Sequence, residues 1–143
     1  MLRPKKDGLS MSDELWRLWF QRARSNLARA QLGRQTSDIL FEDLCFDAQQ
    51  AAEKALKGVM EYFEIDIPKT HSIGYLLKLV EESGKVEISE SLKEAAILTD
   101  YAVTTRYPGD WEPVDEAEYK RAVYLAQEVY QWALSFPSQD KEK

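Results

Sequence analysis

The stretch I-L-F-E-D-L-C-F-D-A-Q-Q-A-A-E-K-A-L-K-G-V-M-E-Y-F, Ile39–Phe63, decides the fold. Its apolar and small residues Phe41, Leu44, Cys45, Ala48, Ala51, Ala52, Ala55, Val59 and Tyr62 recur at helical spacing. At 100° per residue they fall within about 60° of Ala48. One buried stripe on one long helix is the expectation, and its alanines let neighbouring helices approach closely, as at the middle of a bundle.

The same period runs outward from that helix, and no segment alternates as a strand should. Upstream, Trp16, Trp19, Phe20, Ala23, Leu27 and Ala30 mark a first helix. Ser12 is placed to cap it, Asp13 and Glu14 suit its first turn, and Gly33 suits its end. Downstream, Ile73, Leu76, Leu77 and Val80 predict a helix over about Ser72–Glu82, stopped by Gly84. Leu92, Ala95, Ala96, Thr99 and Val103 predict another over about Ser89–Thr104. After a Pro/Gly loop, Asp115 and Glu118 form a capping-box pattern for a last helix striped by Tyr119, Ala122, Val123, Ala126, Val129, Tyr130 and Ala133. The architecture implied is all-α: an up-and-down four-helix bundle with a fifth short helix.

The chain has 143 residues, which suits one domain, expected over residues 12–136 between a disordered leader at 1–11 and a polar tail at 137–143. Cys45 is the sole cysteine, so no internal disulfide can form, and a cytoplasmic setting is expected. Cys45 reads as a small core residue. No apolar run is long enough to span a membrane. The net charge of −6 argues against general affinity for nucleic acid. The charge is uneven, however: Met1–Arg34 carries +5 and the remainder −11. Such polarity suits a protein partner or self-association as well as an anion.

Some apolar residues fall off the expected stripes. Phe46 and Met60 line up with Glu53 at intervals of seven, about 120–160° from the core face of their helix. Leu125 with Trp132, and Leu18 with Leu32, behave alike on the last and first helices. Aligned residues of this kind predict a second buried surface, most simply a homodimer.

Three blocks, A-Q-Q-A-A-E-K-A-L-K at Ala48–Lys57, T-H-S-I at Thr70–Ile73 and Y-A-V-T-T-R-Y-P at Tyr101–Pro108, resemble in order and spacing the HEPN family, small helical domains of bacteria and archaea. The resemblance spans roughly Asp13 to Leu134. It implies that Gln50, Glu53, Lys54 and Lys57 face a groove, where a lysine would meet a phosphate and Glu53 would orient an arginine. Read from spacing alone, those four are a solvated face opposite the core, stiffened by Glu53–Lys57. His71, the only histidine, either caps and packs at a helix start or takes part in chemistry. Tyr101, Arg106 and Tyr107 combine a cation with aromatic surface suited to a base and a phosphate, or else simply build a loop.

Ribonucleolytic HEPN proteins carry an Arg followed four to six residues later by a His. Here Arg106 is followed by Y-P-G-D-W-E-P-V. Walker, H-E-x-x-H, G-x-S-x-G and Cys/His cluster motifs are absent as well, so no cofactor or metal is expected. The R-Y-P at Arg106–Pro108 resembles family members that act as accessory subunits of a minimal nucleotidyltransferase, in toxin–antitoxin-like or resistance-like pairs. That implies a nucleotide rather than RNA as ligand and a nucleotidyltransferase as partner. The alternatives are a metal-independent ribonuclease using His71 with Arg106, and a dimeric scaffold without ligand.

Overall fold

The structure, a computed structural model, describes residues 11–102 and 108–141, the side chains of 11, 12 and 139–141 excepted. Within these residues it is an all-helical bundle without strands: α1 (Met11–Gln31), α2 (Phe41–Tyr62), α3 (Ile73–Glu82), α4 (Glu90–Lys93) running into a 3₁₀ helix (Glu94–Tyr101), and α5 (Glu116–Lys141). Trp16 meets Tyr62 while Asn26 meets Asp47, so α1 and α2 run antiparallel. Phe41 stacks on Tyr119 and Phe63 meets Phe136 edge-on, so α2 and α5 run the same way. That is the up-and-down order.

α2 is the centre. Its alanine stripe, Ala48, Ala51, Ala52 and Ala55, is fully buried. So are residues expected on its outer side: Met60 is inaccessible, and Glu53 is only 4% exposed. Leu125 on α5 is also inside the bundle. These three do not form a second surface. A helix walled in by α1, α3, the 3₁₀ helix and α5 buries most of its circumference, so being off the main stripe does not mean facing outward. Of the other off-stripe residues, Leu18 and Leu32 are exposed, at 42% and 65%, while Phe46 and Trp132 are half-buried.

The local signals act largely as read. Gly33 follows α1 at φ +75° and Gly84 follows α3 at φ +73°, backbone conformations that favour glycine. Ser72 caps α3 by accepting from the Tyr75 N–H at 3.1 Å. Asp115 caps α5 by accepting from the Glu118 N–H at 2.8 Å. The reciprocal half of that capping box is replaced, because the Glu118 carboxylate accepts from the Tyr101 hydroxyl. α1 begins at Met11, ahead of Ser12, and α5 continues through Pro137 to Lys141.

The helix expected over Ser89–Thr104 is corrected. Only Glu90–Lys93 is α-helical, and Glu94–Tyr101 is 3₁₀. The buried residues Leu92, Ala95 and Leu98 repeat every three, the period of a 3₁₀ helix, with half-buried Tyr101 next in the series. Residues 103–107, which include Val103 and Thr104, lie outside the described residues.

Candidate functional site

Three buried polar side chains of α2, Gln49, Glu53 and Lys57, make a cluster that His71 joins from the loop before α3. Glu53 is its hub. One carboxylate oxygen, Oε2, accepts from Lys57 Nζ at 2.9 Å. The other, Oε1, accepts from Gln49 Nε2 at 3.0 Å and lies 2.9 Å from His71 Nδ1. Gln49, fully buried, also donates to the His71 carbonyl at 3.1 Å, and its own oxygen accepts from Gln50 Nε2 at 2.8 Å. Residues 49, 53 and 57 follow one another at i, i+4 spacing, which puts them in a column along the helix.

Burial by itself would raise the Glu53 carboxyl's pKa, but hydrogen bonds from Lys57, His71 and Gln49 outweigh it and hold the group below the usual carboxylate value. Glu53 is therefore ionised and can only accept, so His71 must carry its proton on Nδ1. Nε2 is left as the ring's outward nitrogen, without a partner among the described residues, on a side chain that is 58% exposed. A buried carboxylate that sets the tautomer and angle of an exposed imidazole prepares Nε2 to accept a proton when neutral or to donate to an anion when charged. Lys57, only 9% exposed, has its ammonium over the Trp19 ring at 5.7 Å.

The loop carrying His71 is pinned to the bundle. The Ile73 N–H donates to Thr99 Oγ1 at 3.0 Å, tying the start of α3 to the 3₁₀ helix. Tyr101, at the end of that helix, lines a groove of about 620 Å³ with Phe46, Trp111 and the carboxylates of Glu42, Asp43 and Glu112. Phe46 stands one heptad before Glu53, so the groove and the polar cluster share a flank of α2.

The residues expected to form a site are thus sorted. Glu53, Lys57 and His71 are joined directly, with Gln50 attached through Gln49. The expectation of a solvated face opposite the core is corrected, since Glu53 and Lys57 are buried and Gln50 and Lys54 half-buried. Glu53 orients a histidine, where an arginine was expected. Lys54 points elsewhere, donating to Asn26 Oδ1 on α1 at 2.7 Å. Tyr101 belongs to the neighbouring groove. Arg106 and Tyr107 lie outside the described residues.

Sequence reading missed Gln49, the buried neighbour of Gln50, and the Asn26–Asp47 pair (Nδ2 to Oδ1, 3.0 Å) that joins α1 to α2. The available signal was the density of alanines around Gln49, which marks positions walled in by other helices. Among the described residues no group of three or more His, Cys, Asp or Glu could hold a metal ion. Nor is any helix among them long and apolar enough to cross a membrane.

The HEPN domain family model matches residues 16–136. The chain is similar in structure to TT1696 from Thermus thermophilus, with 35% sequence identity over 84% of this chain and 96% of that one, at a TM-score of 0.72. It is also similar to ST0689, an archaeal HEPN homologue, with 23% identity over 89% and 98% of the two chains and a TM-score of 0.66. A third similar structure is a HEPN domain protein of Thermotoga maritima, TM0613, with 21% identity over 90% and 98% and a TM-score of 0.53. No curated protein matches the chain.

Proposed function

Because the chain belongs to the HEPN domain family, we propose that it is a nucleotide-binding accessory subunit of a small prokaryotic nucleotidyltransferase, in a cytoplasmic toxin–antitoxin-like or resistance-like pair. The observation that carries this reading is the exposed His71 imidazole fixed by the buried, ionised Glu53. The imidazole meets one phosphate through Nε2, and the aromatic groove beside it receives the base. Arg106, read from the sequence alone, adds a second cation. Titration with AMP and ATP is expected to show saturable, salt-sensitive binding in the micromolar to millimolar range. His71→Ala and Arg106→Ala are each expected to weaken it about tenfold, the worth of one charge-assisted hydrogen bond. Failure to bind at millimolar AMP, or binding indifferent to His71→Ala, would leave a scaffold without ligand.

A second reading has one observation in its favour. A carboxylate-oriented imidazole is also a general acid–base device, which a metal-independent ribonuclease would use. Cleavage of single-stranded RNA in the presence of EDTA that disappears in His71→Ala would favour it over binding.

Self-association belongs to the same proposal. Its support is the exposure of Leu18 and Leu32 on α1 and of part of Phe46 and Trp132, Met60 and Leu125 being internal. Light scattering at micromolar concentration is expected to give twice the chain mass, and a monomer that persists at high concentration would remove the dimer.

A further inference from the structure

We infer that Arg22, Arg29 and Lys54, gathered around the Asn26 amide on the seam between α1 and α2, form a binding site for the phosphate chain of a small oligophosphate. Arg22, Asn26 and Arg29 stand at i, i+4 and i+7, on one face of α1. Asn26 is buried and Arg22 and Arg29 are exposed. Lys54 reaches this face from α2, and its half-buried ammonium is held by a neutral amide oxygen, Asn26 Oδ1 at 2.7 Å. Among the described residues Asp47 is the carboxylate bonded into the group. It is already shared, accepting from Asn26 Nδ2 at 3.0 Å and lying 3.2 Å from Arg29 Nη2. Three cations are therefore gathered with one directly bonded carboxylate, Asp47 on Arg29, while the Glu53 charge acts on Lys54 from the same helix.

The strain of that arrangement falls on Lys54. Burial first, then the charges of Arg22 and Arg29, push its pKa below the ordinary lysine value against the opposing pull of Glu53 and Asp47. A bound anion would offset the cost of burying the ammonium and counter the like-charge repulsion. Size and charge select its kind. Arg22 and Arg29 are about 10 Å apart along the axis, a span that two flexible guanidinium arms can bridge together with two or three linked phosphates. Planar guanidinium forks suit phosphate oxygens. The remainder of the chain after Arg34 carries −11, which repels a polyanion extending beyond the seam. The patch is distinct from the His71 cluster, since Lys54 bonds across to α1 and Glu53 bonds toward α3.

The test is calorimetric titration of the full chain with sodium tripolyphosphate, no nucleoside being present. Saturable binding is expected that weakens about tenfold or more in Arg22→Gln/Arg29→Gln. Binding at the seam should persist in His71→Ala, and tighten severalfold in Asp47→Asn, which keeps the acceptor for Asn26 and frees Arg29. The substituted arginines are exposed, and circular dichroism confirms that the double variant is folded. No binding at millimolar tripolyphosphate would overturn the site, as would binding untouched by the double substitution. Loss in His71→Ala equal to that in the double variant would also overturn it, because the ligand would then sit at the Glu53–His71 cluster. Equal affinity for a glutamate-rich peptide of the same charge would overturn the assignment to phosphate.

Discussion

Glu53→Ala is expected to destabilise the protein by about 3–5 kcal/mol, the range for breaking a buried ion pair from one side. The substitution leaves the Lys57 ammonium, 9% exposed, without its counter-charge, and it takes an acceptor from fully buried Gln49. Denaturant unfolding followed by circular dichroism measures the loss. Removing both charges, in Glu53→Leu/Lys57→Met, is expected to recover most of it, because two apolar side chains no longer need desolvated partners. A loss under about 1 kcal/mol in Glu53→Ala would mean that water reaches Lys57 freely and that the cluster is not buried in solution. The pH dependence has a definite sign. The folded Glu53 carboxyl lies below its unfolded value, so its contribution is fully present above the unfolded pKa and is lost as pH falls through the folded one. Glu53→Gln should flatten that part of the acid limb.

Gly58→Val is expected to cost about 3 kcal/mol or more through overpacking, and Gly58→Ala about 2 kcal/mol. A Cβ at Gly58 would sit 2.4 Å from Phe20 Cε1, 2.5 Å from its Cδ1 and 3.2 Å from Trp19 Cβ. The Phe20 ring cannot swing away easily, being 6% exposed and wedged edge-on against Trp16 at 5.6 Å. Alanine gains about 1 kcal/mol of helix propensity over glycine, so a net loss isolates the steric cost. Phe20→Leu combined with Gly58→Ala should be more stable than the sum of the two single changes predicts. If Gly58→Ala alone proved neutral or stabilising, α1 and α2 would have room to separate, and the close approach would not hold in solution.

The bundle was legible because its signals are local. The alanine stripe of α2, the glycines after α1 and α3, and the Asp115 cap each act within a turn or two of chain. What escaped depended on neighbours distant in sequence. Spacing on α2 reports angle about its own axis, and only the packing of α3 and α5 reveals that Glu53 and Met60 also face protein. Glu53, Lys57 and His71 were all visible as candidates, yet their union depends on a loop that returns to α2 after the intervening turn. The 3₁₀ helix was misread for another reason. Its three-residue repeat, Leu92, Ala95, Leu98, differs from an α stripe by less than one residue per turn, too little to separate over two turns.

His71 owes its backbone position to three anchors: Gln49 Nε2 on its carbonyl, Ser72 capping the turn after it, and the Ile73 N–H on Thr99. Its ring is exposed while its main chain is tethered to two other helices. Confining a backbone residue costs about 1–2 kcal/mol of conformational entropy, and here folding has already met that cost. A molecule captured by the imidazole has only a side-chain rotation to quench, and Glu53 restrains even that. The histidine is a preorganised fixture of the bundle, and under the proposed nucleotide binding the encounter would need no prior closure of the loop that carries it.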